Sequence, residues 1–429
     1  MATAQSNSLT TVTNLKELSK KTNTDVMVGV KVNCEEFDAF DDVPDEDIVW
    51  SGNEMRLVLD LKHEVGVSMM PDFGYEAVLG SVTPNTGTLT PVQMNKRYAF
   101  STLAKQYDKG GRAGFIKRQI AHQANKAIQA IAETIGLQTY GFSTATVYAV
   151  QTSAGAGTTH TSIAIKNAFG STLIAGGTTA QDEYQTSLLR PGEGIAFIRS
   201  GAIAEFGLVT ASPGAAGTAG TIDFTTNASF TPTADDLIVK ANAVTGATLS
   251  ETDQNRWPIG LLDALTSSSV HGLATSTVAD WAAGHAGTAG GRMDWARHEK
   301  MANDLQNLGG VKMNRVVFAQ GVRRDIIAGE AAAKRYESGQ FDWDNSFDKK
   351  GIKFFTSRLV PPGFYIGLNN EVYRKKALSD KPAMSGGPDI FSLDKIEGRG
   401  GFAASFDFVY LRAVNNRRGM GYESGLTEQ

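Results

Sequence analysis

Residues 110–137, GGRAGFIKRQIAHQANKAIQAIAETIGL, form the longest segment of the chain whose apolar residues keep one helical stripe without a proline. Ile116, Ile120, Ala124, Ala127 or Ile128, Ile131 and Ile135 recur every three or four residues, the spacing that sets side chains on one face of an α-helix. Lys117, Arg118, Asn125, Lys126, Gln129 and Glu133 fall on the other face, so one side needs packing and the other meets water. Gly110 and Gly111 interrupt the chain before the stripe, and Gly136 stands where a helix stop is expected. At about 1.5 Å per residue, such a helix would run about 37 Å, the width of a small domain. Periodicity alone leaves open whether it braces a projecting structure or is an ordinary buried helix of a large enzyme.

Upstream of this helix the period changes to two. Met55, Leu57, Leu59 and Leu61 alternate with Arg56, Val58, Asp60 and Lys62, and Val65, Val67 and Met69 continue after a break, which predicts a half-buried strand. A second alternating run, Val92 and Met94, then Tyr98 and Phe100, comes back between Pro91 and Leu103. The intervening turn-rich segment carries Phe73, Tyr75 and Leu79. The simplest object is a long antiparallel hairpin with a wide tip, and because a two-stranded ribbon is marginal alone, it is expected to lean on other structure.

Before the hairpin, residues 34–47 carry eight acids and no base, interleaved with Phe37 and Phe40. The acids lack the alternating spacing and mid-loop glycine of a calcium loop. This segment reads as a solvated, extended arm whose Phe37, Phe40 and Trp50 dock on a partner surface.

Downstream of the helix, Tyr140 to Val150 reads as a strand, followed by a Thr/Ala/Gly-rich stretch. Residues 185–245 then hold short β runs, IAFI at 195–198, AEFGLV at 204–209, TIDFT at 221–225 and DLIVK at 236–240, punctuated by glycine and proline. That spacing predicts a small inserted antiparallel barrel or sandwich. From Trp257 the texture is mixed α/β. MDWARHEKMANDLQNL (293–308) is a predicted helix with Trp295, Ala302, Leu305 and Leu308 on one face, ended by Gly309 and Gly310. VVFA, IKFFT, FYIGL and FDFVYLRAV are predicted strands, and VRRDIIAGEAAAKRY a helix.

Length, composition and charge narrow the function classes. A chain of 429 residues has room for two or three domains and needs no disulfide or metal to fold, and its single cysteine, Cys34, cannot form an internal bridge. The first residues lack a charged region followed by an apolar one, and there is no run of eighteen apolar residues, so the expectation is a soluble, unexported protein without a membrane partner. A net charge of −4 offers no general attraction for nucleic acid.

No catalytic, metal or cofactor constellation emerges. The histidines at 63, 122, 160, 271, 285 and 298 have no second His or Cys at metal-ligand spacing. There is no G-x-S-x-G elbow. The glycine clusters at 110–114 and 284–292 lack P-loop or dinucleotide-fold context and read as flexible loops. RAVNNRR (412–418) reads as a short solvated basic cluster. A large chain without a visible site, but with an arm, a projecting hairpin and a bracing helix, points to assembly.

The order of these parts resembles that of the major capsid proteins of tailed double-stranded-DNA bacteriophages, the Hong Kong ninety-seven type fold. The resemblance implies an α+β subunit divided as follows: an N-terminal arm (1–51), an extended hairpin loop (52–104), a spine helix and the start of a peripheral domain (105–140), and a linker with part of the body (141–184). The inserted β module (185–245), an axial domain (246–340), and peripheral strands returning to the axial domain (341–429) complete it. It implies no enzymatic activity and no cofactor. It implies self-assembly into hexamers and pentamers that form an icosahedral virion head around packaged double-stranded DNA, contacted non-specifically, with the host cytoplasm as the place of assembly. Phe37, Phe40, Phe73, Tyr75 and Leu79 become the expected inter-subunit contacts. About fifty residues precede the hairpin, too few for a fused scaffolding extension, so a separate scaffolding protein is implied, together with a portal and decoration proteins as further partners. The alternatives are an encapsulating nanocompartment shell, or an unrelated cytosolic enzyme or glycan-binding β protein.

Overall fold

The computed structural model describes residues 40–51, 54–59, 85–101, 131–141, 143–167, 189, 191–211, 221–242, 249, 251–252, 256–278, 281–288, 290–319, 321–323, 325–326, 346–349, 351–357, 359–361, 363–378, 383–384, 394–395 and 401–426. Helix α1 occupies 131–140, and Ile131 and Ile135 are buried as the stripe requires; residues 110–130 lie outside the described residues. The expected stop at Gly136 is corrected. The helix runs on because Leu137 and Tyr140 reach the core, the Thr139 hydroxyl donates to Ile135 O at 2.8 Å, and Gly141 N–H donates to Leu137 O at 2.8 Å. The strand expected from Tyr140 consequently starts only at Thr146, after a turn in which Ala145 adopts a φ of 60°.

The first alternating run forms β2 (Glu54–Leu59), which lies between β1 (Ile48–Ser51) and β3 (Asn85–Leu89) in an antiparallel sheet. Met55, Leu57 and Leu59 are buried while Val58 faces out, as a period of two demands. The second run does not return along the first. β4 (Val92–Ser101) pairs instead with β22 (Gly401–Val414), from Val92 opposite Tyr410 to Ser101 opposite Gly401. The return strand of the hairpin is β3, and Pro91, with no N–H and a fixed φ, separates β3 from β4 so that the two enter different sheets. The other flank of β22 is covered by β19 (Tyr373–Ala377), β20 (Ala383–Met384) and β21 (Asp394–Lys395).

The body is a mixed six-stranded sheet in the order β14 (His285–Gly287), β23 (Met420–Glu423), β18 (Tyr365–Leu368), β15 (Arg315–Phe318), β17 (Ile352–Thr356) and β16 (Ser346–Lys349). The β14–β23 and β15–β17 pairs are parallel. Val316, Val317 and Phe318 are all buried, the signature of a strand covered on both faces. β14 falls within the glycine cluster at 284–292, which is therefore a sheet edge in part rather than a flexible loop throughout.

Helices α2 (Leu261–Thr266) and α3 (Trp295–Gly309) accompany the body sheet, and helical residues 321–323 and 325–326 bring Val322 and Ile326 into the same core. Asp294 caps α3 by accepting from Arg297 N–H at 2.8 Å, and Gly310 at φ 67° ends it. Its buried face is His298, Met301 and Leu305; Leu308, expected on that face, is 53% exposed in the last turn. A short hairpin, β12 (Ser269–Val270) and β13 (Leu273–Ala274), follows α2.

Strands between residues 146 and 252 form a closed antiparallel barrel. Its strands run in the order β5 (Thr146–Val150), β6 (Gly157–Asn167), β9 (Thr221–Phe230), β8 (Ala202–Ala211), β7 (Gly194–Arg199) and β10 (Leu237–Asn242), and β10 pairs back to β5, with β11 (Glu251–Thr252) appended. Closure removes the edge strands that an open sheet of this size would expose. The boundary expected at 185 is thereby corrected, because β5 and β6 are barrel staves: Val147, Val150 and Ile165 project into the same buried cluster as Phe197 and Phe224. Arg199 closes one end by donating to both carboxylate oxygens of Asp236, at 2.7 and 2.6 Å. Burial pushes the Asp236 carboxyl up, but the bonds from Arg199 and Thr233 outweigh it and leave its pKa below the ordinary value.

Candidate assembly surface and its supports

The acidic arm and the basic strand β19, Tyr-Arg-Lys-Lys-Ala, are complementary in charge and meet along their backbones. Val43 N–H donates to Lys375 O at 2.8 Å, and Lys375 N–H to Asp41 O at 2.9 Å, with a parallel bridge between Asp42 and Lys375. Arg374 reaches Asp47 at 3.2 Å and Lys376 pairs with Asp45. The arm is thus an added strand on the edge of the β19–β22–β4 sheet. The Lys376–Asp45 pair stands at the surface and the Arg374–Asp47 pair is half-buried, and such solvent-screened pairs contribute about 0–1 kcal/mol each. Burial of Phe40 and Val43 does more, at roughly 1.5–3 kcal/mol per fully buried side chain.

Phe40 was expected on a partner's surface, but it is only 2% exposed within its own subunit. Its ring meets Tyr373 edge-on at 5.0 Å, and the Arg412 guanidinium lies 5.4 Å from each of the two rings. Phe37, Phe73, Tyr75 and Leu79 lie outside the described residues.

Arg412 and Arg417 also correct the reading of 412–418 as a solvated cluster, since both are 2% exposed. Arg412 donates to Thr139 Oγ1 at 2.6 Å, and its neighbour Tyr410 donates to Gln138, so β22 is fastened to the last turn of α1. Arg417 donates to three backbone carbonyls, Ala264 at 2.6 Å, Ser267 at 2.8 Å and Trp281 at 2.9 Å. Ala264 lies within α2 and Ser267 is its C-cap, so the guanidinium satisfies carbonyls that a helix end leaves without partners. Burial holds Arg417 down to about 10, against the opposing attraction of Asp263. Tyr373 is pushed up to about 12 by burial, and its hydroxyl donates to Ile259 O at 2.8 Å.

A second polar cluster ties α3 to β14 and β23. The His285 ring lies between two carboxylates, Nδ1 at 2.7 Å from Asp304 and Nε2 at 3.0 Å from Glu423. Hydrogen-bonding to Glu423 first, and then to Asp304, raises the pKa of His285 despite its burial. Arg297 lies 3.9 Å from the other Glu423 oxygen. Each of these buried charges links secondary-structure elements. Among the described residues, no group of three or more His, Cys, Asp or Glu side chains is placed to hold a metal ion, and no helix is long and apolar enough to cross a membrane.

What faces solvent is the outer side of the β1–β2–β3 sheet. Val49 and Val58 lie diagonally across the β1–β2 pair, at 47% and 40% exposure, beside Thr86 and Thr88 on β3. Charge complementarity between 41–47 and 374–376 was the sequence signal that would have found the arm's seat, and it becomes readable only once both segments are known to be extended.

No family model matches the chain, and no curated protein matches it. Among solved structures it is similar to the capsid asymmetric unit of cyanophage A-1(L), at 10% identity and a TM-score of 0.49, covering 94% of this chain and 92% of that one. A structure from Gordonia phage Cozz gives 9% identity, a TM-score of 0.41 and coverage of 93% and 86%. The procapsid of satellite phage P4, which includes its size determination protein, gives 8% identity, a TM-score of 0.38 and coverage of 99% and 94%.

Proposed function

We propose that this chain is the major shell protein of a tailed-phage type capsid, assembling through hexamers and pentamers into an icosahedral head that encloses double-stranded DNA. The observation that carries this reading is the convergence of the arm, the hairpin base and the end of α1 on one flank of the body, around β22. An arm laid as an added strand on β19, a hairpin sheet whose outer face carries exposed valines, and a helix fastened at its C-terminal turn make a subunit organised for contacts rather than around a reaction centre. Phe37, Phe73, Tyr75 and Leu79 are the proposed contacts with neighbouring subunits, whereas Phe40 anchors the arm on its own body. A separate scaffolding protein, a portal and decoration proteins are the proposed partners, and the host cytoplasm the proposed place of assembly.

Expression followed by sedimentation and electron microscopy tests the reading. Capsomers or megadalton shells support it, and nuclease-protected DNA in shells recovered from infected cells separates a virion head from an encapsulating nanocompartment. A monodisperse monomer that never assembles, even with the neighbouring genes co-expressed, overturns it.

A further inference from the structure

We propose that His271 is a titratable joint between the hairpin sheet and the body, and that protonation of its ring releases β3 from the end of β22. His271 and Gly272 are the two central residues of the β12–β13 hairpin, with φ of 55° and 78°. Both are left-handed, the pattern of a type I′ turn, for which Asn-Gly is the favoured pair. A histidine held there bears a conformational cost, which the contacts of its ring offset.

Those contacts define the ring's protonation. Val414 N–H donates to Nε2 at 3.0 Å, so this nitrogen must present a lone pair. The proton is therefore on Nδ1, which donates to Thr88 O at 3.2 Å. Thr88 N–H in turn donates to His271 O at 2.9 Å. One residue thus bonds β3 through both its backbone and its ring, and bonds the last residue of β22 through the ring alone. Packing leaves no slack in this arrangement, because a Cβ at Gly87 would stand 2.8 Å from the His271 Cβ.

A second proton on the ring would place an Nε2–H against the Val414 N–H, donor facing donor, at a site 5% exposed. The charged groups around the ring do not help it. Arg417 repels the imidazolium, and Asp263 acts on Arg417. Arg412, on β22, is turned toward Phe40 and Thr139. Neither β3 nor the β12–β13 hairpin carries another titratable side chain. Burial, partly opposed by the Thr88 bond and reinforced by Arg417, holds the ring down to about 4. The seated ring therefore stays neutral while a released ring takes up a proton near its ordinary value of about 6.5. The joint is intact above that value and weakens as pH falls from about 6.5 toward 4, by on the order of 10²-fold in the seating equilibrium.

Hydrogen exchange of the full-length, unassembled subunit, followed by mass spectrometry between pH 7.5 and 4.2 and corrected for intrinsic rates, tests the joint. The expected result is an approximately 10²-fold loss of protection in β2 and β3 of the wild-type protein between the two pH values. His271→Gln, whose amide oxygen can accept from Val414 without titrating, is expected to retain that protection in acid. Nitrogen chemical shifts of labelled histidine in the wild-type protein give an independent readout, expected to show the Nδ1–H tautomer with a midpoint below 5. An Nε2–H tautomer, a midpoint near 6.5, or an equal acid loss of protection in β2 and β3 in His271→Gln would overturn the proposal.

Discussion

The guanidinium of Arg412 lies 5.4 Å from the ring of Phe40, so a cation of the C-terminal strand is covered by the first described aromatic of the arm. Tyr373 flanks the same guanidinium at 5.4 Å and Tyr410 at 5.9 Å. The arm's seat is therefore made of a buried charge stacked against aromatic faces, and the arm's acids sit at its rim.

Truncating Phe40 removes both the apolar burial and the cover over Arg412. Phe40→Ala is expected to destabilise the subunit by about 3–5 kcal/mol, read as a lowered midpoint of denaturant unfolding. Limited proteolysis should then cut preferentially between Phe40 and Asp47. Unchanged cleavage in that segment would show that the arm is held by something else.

Neutralising the arm's exposed acids should matter far less. Asp45→Asn with Asp47→Asn removes partners of Lys376 and Arg374 that stand at the solvent rim, and the expected loss is under about 1 kcal/mol per pair and smaller at high salt. A loss as large as that of Phe40→Ala would mean that charge, and not burial, seats the arm.

His285 links stability to pH with the opposite sign to His271. Its folded pKa is raised by Glu423 and then Asp304, so its contribution is fully present below the unfolded value of about 6.5 and is lost as pH rises through the folded one. In unfolding titrations of the unassembled subunit, the difference between wild type and His285→Gln should therefore shrink as pH increases above about 6.5. A difference that grows with pH would remove the imidazolium bridge between α3 and β23.

The segment between β2 and β3 carries the assembly prediction. Phe73→Ser with Tyr75→Ser is expected to leave the thermal unfolding of the unassembled subunit within about 0.5 kcal/mol of wild type while impairing shell formation in electron micrographs. Normal-sized shells from the double variant would count against Phe73 and Tyr75 as inter-subunit anchors.

Within the fold, α1 is expected to be intolerant of charge at its buried stripe. Ile135, completely buried, when changed to Asp places an unpaired carboxylate in the core, and circular dichroism should report a subunit that no longer folds. A soluble, native-like variant would contradict the continuity of this helix with the core.

Local apolar patterning was enough to locate β2, β15, β17, β18, β22, α3 and the staves β7 to β10, because alternation, three-to-four spacing or a short unbroken apolar run marks which side chains must leave water. Of the stripe read at 110–137, the described positions Ile131 and Ile135 are buried. What periodicity does not encode is partnership. The run from Val92 reads equally well beside β2 or beside β22, and only the Pro91 break and the long β22 decide between them. Gly136 reads as a stop until Leu137 and Tyr140 find a core to enter. Basic residues at 412 and 417 look solvated until carbonyls, a hydroxyl and the Phe40 ring converge on them from segments more than a hundred residues away. The sequence alone determined the kinds of those elements and their order, since they follow from short-range spacing. The tertiary structure decided which strands pair, where the barrel begins, and that Phe40 is an internal anchor, because these depend on contacts between residues distant in the chain.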